Sequence, residues 1–296
     1  MKPAPFEYAA PDSLAAALAL KAEHGDEAKF LAGGQSLIPA MNFRLVQASL
    51  LVDLNRVPGL AARAVVAGEL RLGAMARQRA LERDPLVAQH APLLAEALPH
   101  VAHPQIRNRG TLGGSLAHAD PAAELPVIAV ALDARLRAQS TTGERWIGAR
   151  EFFLGLLTTA LTPEELLVEV ALPPLPPRTG TSFHEFARRH GDYALLGVAA
   201  VVTLDEAGTC TAAKLVYLNA GDGPLAADAA AGLLVGQALT AEALTAAADH
   251  AATHEMEPLG NVHATPDYQR HLARVLTRRA LAAARDRARA PQGSVA

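Results

Sequence analysis

The spacing of apolar positions predicts alternating helices and strands in the first part of the chain. Apolar residues recur at helical spacing after Asp12 and Ser13, and either residue can cap a helix that ends at Gly25. Short apolar runs predict strands at residues 28–32 and 49–54, with a helix at residues 36–42 between them. Proline and glycine in residues 56–59 then predict a turn and a boundary.

The middle of the chain combines a few strand signals with several short helices. Residues 69–73 predict a strand and residues 76–83 a helix, and Pro85 opens another helix at its first position. Residues 93–98 have a helical pattern that Pro99 ends or kinks. A long apolar segment follows at residues 125–132, and a last strand is predicted at residues 165–172.

A proline-rich segment at residues 173–177 predicts the main boundary, because proline favours an extended linker and cannot continue a sheet or a helix. Beyond it, strands are predicted at residues 182–188, 198–204 and 211–218, with a turn at residues 205–208. Thr265, Pro266 and Asp267 form a strong start signal for the last helix. The chain is therefore divided into residues 1–58, 59–177 and 178–290.

Composition excludes several classes of protein. The chain has 296 residues and a single cysteine, Cys210, so it cannot form an intrachain disulfide, a four-cysteine zinc site or a thiolate-held iron–sulfur cluster. A net charge of -3 without a basic stripe argues against nucleic acid as a partner. Because no signal peptide or membrane-length apolar run is found, we expect a cytoplasmic protein without a membrane span.

Two double-glycine stretches are the first candidates for chemistry: residues 32–37, called the first loop, and residues 111–115, the second loop. Paired glycines permit positive φ and close approach of backbone N–H groups to a ligand. Ser36, Thr111 and Ser115 add hydroxyl donors. One such loop alone is more simply a turn, whereas two could clamp a pyrophosphate from both sides. The glycine patterns of Rossmann and P-loop sites are both absent.

Three segments resemble one known family. Residues 32–39 (AGGQSLIP) resemble the first flavin loop of the FAD-binding medium subunits of molybdenum hydroxylases, the xanthine dehydrogenase and aerobic carbon monoxide dehydrogenase family. Residues 104–126 (PQIRNRGTLGGSLAHADPAAELP) resemble its second flavin loop, and residues 191–194 (GDYA) a third element. The resemblance covers nearly the whole chain. One departure is Ser115, where many relatives have asparagine, so a donor is kept but with a shorter reach.

The resemblance implies an α+β fold. A FAD-binding region of two subdomains, of the PCMH or vanillyl-alcohol-oxidase type, would precede a C-terminal α/β domain of the CO dehydrogenase flavoprotein type. We expect no catalytic residue and no metal in this chain. We also expect FAD to be bound non-covalently, because the two loops suit a pyrophosphate and no attachment residue is evident, with Cys210 beside a hairpin turn. The implied cofactor-binding residues are Ala32, Gly33, Gly34, Gln35, Ser36 and Leu37 of the first loop, Thr111, Gly113, Gly114 and Ser115 of the second, Val101 and Ala102 at the nucleotide or ring pocket, Glu124, Leu166 on the adenine side, and Tyr193 near the isoalloxazine ring.

The function implied is that of an electron-transfer subunit. Electrons would arrive from [2Fe–2S] clusters on a small partner subunit and leave to an external acceptor, while a large partner subunit with molybdopterin would oxidise the substrate. Because one cysteine cannot ligate a cluster, the clusters must lie on another chain. A dimer of heterotrimers is the expected assembly. Two alternatives stay open: a stand-alone FAD-dependent oxidase or dehydrogenase, and a non-enzymatic nucleotide-binding assembly module.

Other polar groups have simpler interpretations. His100, His103 and His118 suggest a metal site, but prolines around the first two argue against the single helix face that such a site would need. Asp120 and Glu124 suggest an acid–base pair, although carboxylates beside a proline-containing loop are more often caps.

The last helix carries arginines at four-residue spacing. Arg270, Arg274 and Arg278 form either a solvated basic face or a docking surface for a partner chain.

Overall fold

The computed structural model of the protein describes residues 1–290, which form three main sheets in succession along the chain. The first sheet is parallel, with strand order β1-β3-β2. Ser13 caps the first helix by accepting a hydrogen bond from the Ala16 amide at 3.3 Å, as predicted. The elements of this part are β1 (Glu7–Ala9), α1 (Leu14–His24), β2 (Ala28–Leu31), α2 (Leu37–Asn42) and β3 (Leu50–Asp53), with 3-10 turns at Gly25–Glu27 and Leu54–Arg56.

The second sheet is antiparallel, with order β4-β5-β10-β6-β7, and a series of short helices lies between its second and third strands in sequence. Proline begins several of these helices, where its missing N–H has no partner to lose. The elements are β4 (Arg63–Val66), β5 (Glu69–Gly73), α3 (Gln78–Glu82), α4 (Pro85–His90), α5 (Pro92–Ala97), a 3-10 turn (Leu98–His100), α6 (Pro104–Arg107), α7 (Leu112–His118), α8 (Glu124–Ala131), β6 (Arg135–Ser140), β7 (Gly143–Gly148), α9 (Ala149–Phe152), the hairpin of β8 (Phe153–Gly155) and β9 (Thr158–Thr159), and β10 (Leu166–Leu172).

The third sheet is antiparallel, with order β11-β12-β13-β14, and the long C-terminal helix packs against its first two strands. Thr265 caps that helix, as predicted, by accepting from the Tyr268 amide at 3.2 Å. The elements are β11 (Thr179–Ala187), β12 (Ala194–Leu204), β13 (Cys210–Leu218), β14 (Leu225–Ala226), α10 (Asp228–Gly232), α11 (Ala241–His250), a π-helix (Ala251–Glu255) and α12 (Pro266–Arg289).

The second and third sheets share an apolar contact, because α8 packs against β12 and β13. Two ion pairs also join the second and third parts of the chain. Arg150 donates to both oxygens of Asp228 at 2.7 and 2.8 Å, and Lys214 pairs with Asp133. Within the described residues, no helix has both the length and the apolar character to cross a bilayer.

The structure contains strands that the hydrophobic pattern did not predict. β1, β4 and the β6–β7 hairpin were not predicted, and β12 begins at Ala194, four residues before the predicted start. The apolar segment at residues 125–132 forms α8, whose eight residues are all buried. Periodicity alone could not assign that segment, because a uniformly apolar run suits a buried strand as well as a buried helix.

Candidate functional site

The first loop leaves β2 and enters α2 with its backbone amides unused. The N–H groups of residues 33–36 donate to no acceptor within residues 1–290. Gly34 has φ 73°, a left-handed conformation that glycine adopts without strain. Ser36 precedes α2 and makes no capping hydrogen bond. The first loop therefore presents successive free donors, as a backbone anion site requires.

The second loop is the start of a helix, and this corrects the prediction of a second amide site. Thr111 caps α7 by accepting from the Gly114 amide at 3.1 Å. The amides of Leu112 and Gly113 donate to the carbonyls of residues 76 and 74 at 3.0 and 2.8 Å. These amides are consumed within the fold. What the second loop can offer a ligand is the hydroxyl of half-buried Ser115.

Close packing, rather than positive φ, explains most of the paired glycines. Of the four, only Gly34 has positive φ, which corrects the expectation for Gly33, Gly113 and Gly114. A Cβ on Gly113 would lie 2.4 Å from the Ala74 Cβ. A Cβ on Gly114 would lie 2.7 Å from the Thr111 hydroxyl that caps the helix. Glycine at these positions lets α7 lie against its neighbours.

The first loop packs against the second loop and against the two residues that precede it. A Cβ on Gly33 would lie 2.4 Å from the Arg109 carbonyl oxygen and 2.9 Å from the Gly110 Cα. A Cβ on Gly114 would come within 3.6 Å of the Ala32 Cβ. The free amides of the first loop and the Ser115 side of the second loop therefore belong to one site.

Positive charge is concentrated at this junction. Arg77 makes hydrogen bonds to the Arg109 carbonyl oxygen and to the Asn55 amide oxygen, and both partners are neutral. Burial, followed by the neighbouring Arg109 charge, lowers the pKa of Arg77. Two guanidinium groups so close repel each other, and a bound anion would relieve that repulsion. Asp53 is the nearby carboxylate, and it is held by Tyr8 and Asn55.

A buried arginine fixes the backbone of Val101 and Ala102, the residues predicted to line the nucleotide or ring pocket. Arg107 is 3% exposed and donates to the carbonyls of Val101 and Ala102 at 2.8 and 2.9 Å. Its other face donates to Glu82 at 2.8 Å. Ala102 has φ 45°, an unusual conformation for alanine that this clamp maintains. The backbone at Val101 and Ala102 is therefore fixed by the protein itself.

A group of acidic residues lies near the other end of α7, which spans about 10 Å from its cap. Glu124 begins α8 and is 8% exposed. Burial, followed by the charge of Glu185, raises the pKa of Glu124 to about 8. The Glu185 carboxylate forms an ion pair with His100 Nδ1 at 3.2 Å, and this contact raises the pKa of His100. At neutral pH Glu124 is therefore protonated and can donate as well as accept a hydrogen bond.

Tyr193 stands at the surface beside these groups. Its side chain is 71% exposed, and it directly follows the turn in which Gly191 has φ 80° and packs against the His103 ring. The Asn219 side chain donates to the carbonyl of the next residue, Ala194, at 2.9 Å. An exposed aromatic ring held on a fixed backbone can cover one face of a flat ligand.

Leu166 lies in the apolar cluster against which Ala32 of the first loop also packs. It begins β10, is 7% exposed and packs in the apolar core beneath the first sheet, next to Met75 and Val57. The structure thus brings the two loops together. It places Tyr193 near Glu124, beyond the far end of α7, and the charge of His100, the residue before Val101, also acts on Glu124.

The remaining candidates have structural roles. Asp120 accepts from the Ala122 amide at 2.9 Å and so forms a turn. Within residues 1–290, no group of three or more His, Cys, Asp or Glu side chains is arranged to hold a metal ion. Arg274 pairs with Asp249 at 3.2 Å, and Arg270 pairs with Asp267 at 3.6 Å.

Four residues of this site were not predicted from the sequence: Asn55, Arg77, Arg107 and Arg109. Arg107 and Arg109 lie inside the long motif at residues 104–126, which was the only available signal. Asn55 follows β3 and Arg77 follows β5, and neither lies in a recognisable sequence motif. Only the fold brings them to the loops.

Comparison with known proteins decides the family. The family described as "FAD binding domain in molybdopterin dehydrogenase" matches residues 4–175, and "CO dehydrogenase flavoprotein C-terminal domain" matches residues 181–284. The chain belongs to the FAD-binding medium subunits of the molybdenum hydroxylases. The resemblance found in the sequence and the α+β fold class are thereby confirmed.

Individual relatives agree over almost their whole length. The chain is 46% identical to the 6-hydroxypseudooxynicotine dehydrogenase complex subunit alpha of Paenarthrobacter nicotinovorans, covering 100% of this chain and 99% of that one. It is 37% identical to the carbon monoxide dehydrogenase medium chain of Hydrogenophaga pseudoflava, covering 96% and 98%. The solved structure of carbon monoxide dehydrogenase from that organism superposes with a TM-score of 0.94, covering 97% and 99% at 38% identity. This medium subunit is therefore the flavoprotein part of a multi-subunit oxidoreductase.

Proposed function

We propose that this medium subunit binds one FAD non-covalently and passes electrons from [2Fe–2S] clusters of a partner subunit to an external acceptor. The observation that carries the proposal is the set of unused amides at residues 33–36, next to the second loop. An anion accepting from several amides gains charge-assisted hydrogen bonds of about 1.5–3 kcal/mol each. The diphosphate of FAD is an anion of this kind.

The residues present fit FAD at both ends of α7. The diphosphate would lie on residues 33–36 and accept from Ser115, with Arg77 and Arg109 supplying positive charge. The ring end would lie by Val101, Ala102 and Tyr193, with Glu124 able to bond a hydroxyl. Leu166 would contact the adenine side, from the apolar cluster against which Ala32 of the first loop packs. The flavin supplies the redox chemistry, and these residues bind and orient it.

The state of the lone thiol supports non-covalent binding. Cys210 is 1% exposed, donates to the Ala212 carbonyl at 3.4 Å, and has a pKa raised by burial. A buried protonated thiol is a poor nucleophile. Cys210 therefore offers no attachment point for a flavin.

The electron donor and the substrate site belong to partner subunits in this proposal. A single buried cysteine cannot ligate a [2Fe–2S] cluster. We infer a small iron–sulfur subunit and a large molybdopterin subunit, assembled with this chain as a dimer of heterotrimers in the cytoplasm. Residues 1–58 and 59–177 would form the FAD-binding region, and residues 178–290 the C-terminal domain, since each part has its own sheet.

The first test is the state of the flavin in the purified chain. Heat or acid denaturation should release all of the yellow colour into the supernatant at one FAD per chain. Flavin that precipitates with the protein would contradict non-covalent binding, and a colourless chain that takes up no added FAD would contradict the proposed function.

A further inference from the structure

A continuous chain of hydrogen bonds connects the two loops. The Asn55 side-chain amide donates to the Ala32 carbonyl at the start of the first loop, at 3.1 Å. The Arg77 guanidinium donates to the Asn55 amide oxygen and also to the Arg109 carbonyl just before the second loop. The same Arg109 carbonyl oxygen is the atom against which Gly33 packs.

Asn55 is held in place by residues of the first sheet. Asp53, the last residue of β3, accepts from the Asn55 backbone amide at 2.8 Å and from its side-chain amide at 2.5 Å. Tyr8, in β1, donates to the other oxygen of Asp53. Because both partners lie in the first sheet, the orientation of Asn55 is set by the first part of the fold.

Arg77 is held by the second part of the fold. Its backbone pairs with Thr111 in an isolated bridge, and the next residue, Gln78, donates its amide to the Gly110 carbonyl at 2.9 Å. The planar guanidinium fork can serve two acceptors at fixed angles, which a lysine ammonium does with much less geometric restriction. Arg77 therefore connects the second loop to a residue fixed in the first sheet.

We propose that Asn55 and Arg77 are positioning residues that form a brace and set the separation of the two loops. The inference rests on the proposed function, because the brace matters for FAD only if both loops contact the same cofactor. Neither residue belongs to either loop. Asn55 acts on the cofactor through the Ala32 carbonyl, and Arg77 acts through the Arg109 carbonyl in addition to the positive charge that it supplies.

The test measures FAD affinity and thermal stability of the flavin-free full chain for Arg77→Lys, Asn55→Ala and the double variant. Arg77→Lys keeps the positive charge and removes the fork. The matched control is Arg145→Lys, since Arg145 on β7 also donates to a carbonyl, that of Ala160, at 2.7 Å, and lies outside the site. Asn55 is exposed, so Asn55→Ala keeps the test valid even if Arg77→Lys folds poorly.

We expect each single variant to weaken FAD binding about tenfold. Because the two residues form one unit, the double variant should bind FAD no more weakly than whichever single variant binds it less tightly. Flavin-free melting temperatures should match that of the Arg145→Lys control.

Three results would overturn the brace. The first is wild-type FAD affinity in Arg77→Lys, and the second is a loss of FAD affinity in the double variant equal to the product of the two single losses. The third is a loss of FAD affinity that only parallels a fall in the flavin-free melting temperature. Failure of the wild-type chain to bind FAD would instead refute the proposed function.

Discussion

Replacing Gly33 by alanine tests whether the two loops act as one site. The added Cβ would lie 2.4 Å from the Arg109 carbonyl oxygen and 2.9 Å from the Gly110 Cα, and both of these atoms belong to the backbone. No side chain can rotate away, so the loops must separate by roughly half an ångström or more. Such overpacking costs about 1–3 kcal/mol of folding stability.

The same displacement should weaken FAD binding. Loss of one charge-assisted hydrogen bond corresponds to about 10–100-fold in the dissociation constant. Gly223→Ala is the matched control, because no atom lies within 4 Å of its Cβ position and its φ is not positive. Gly34→Ala adds a Cβ at φ 73°, so it tests backbone strain instead of loop separation.

The assay is a fluorescence titration of the flavin-free chain with FAD, together with urea unfolding of the same variants. We expect Gly33→Ala to bind FAD at least tenfold more weakly than Gly223→Ala does. If Gly33→Ala unfolds at lower urea but binds FAD as tightly as the control, the contact between the loops is only structural and the reasoning for a shared site is wrong.

Three further changes test separate parts of the account. Arg107→Met should cost about 3 kcal/mol in urea unfolding, because it leaves Glu82 without its buried partner; a loss under about 1 kcal/mol would contradict this. The pKa of Glu124 is raised in the folded state. The contribution of Glu124 to folding stability therefore falls as the pH rises from 4.5, the ordinary pKa of the group, towards 8. Relative to wild type, flavin-free Glu124→Gln should therefore gain about 4 kcal/mol of stability as the pH rises from about 5 to 8.5, and a constant difference would refute the shifted pKa. Thr277→Val removes the buried partner of the Tyr217 hydroxyl and should lower stability by about 1–3 kcal/mol, measured by calorimetry, with FAD affinity unchanged.

The helices and strands that were predicted correctly are those marked by local features of the sequence, such as capping residues and prolines. Ser13 and Thr265 cap α1 and α12 as their side-chain chemistry predicts, and proline begins α4. β1 was missed because its three mostly exposed residues are too few to show a hydrophobic period. Its strand conformation comes from parallel pairing with β3. The β6–β7 hairpin is rich in charge. Its Arg135 and Arg137 lie over the Trp146 ring, and Arg137 pairs with Glu144 and Glu169, which sequence spacing does not show.

The site was predictable where backbone chemistry is local. Glycine at residue 34 in a left-handed conformation follows from its sequence after a strand and before a helix. The amides of the second loop were wrongly expected to be free, because their acceptors at residues 74 and 76 are distant in sequence. Asn55 and Arg77 could not be found for the same reason, since their partners lie 23 and 32 residues away.

The most direct test of the central claim is an anaerobic stopped-flow measurement of flavin absorbance in the FAD-loaded chain. Mixing with candidate substrates alone should leave the flavin oxidised, whereas mixing with the chemically reduced iron–sulfur partner subunit should bleach it rapidly. Rapid bleaching by a substrate in this chain alone, or no bleaching by the reduced partner, would contradict the account of an electron-transfer subunit.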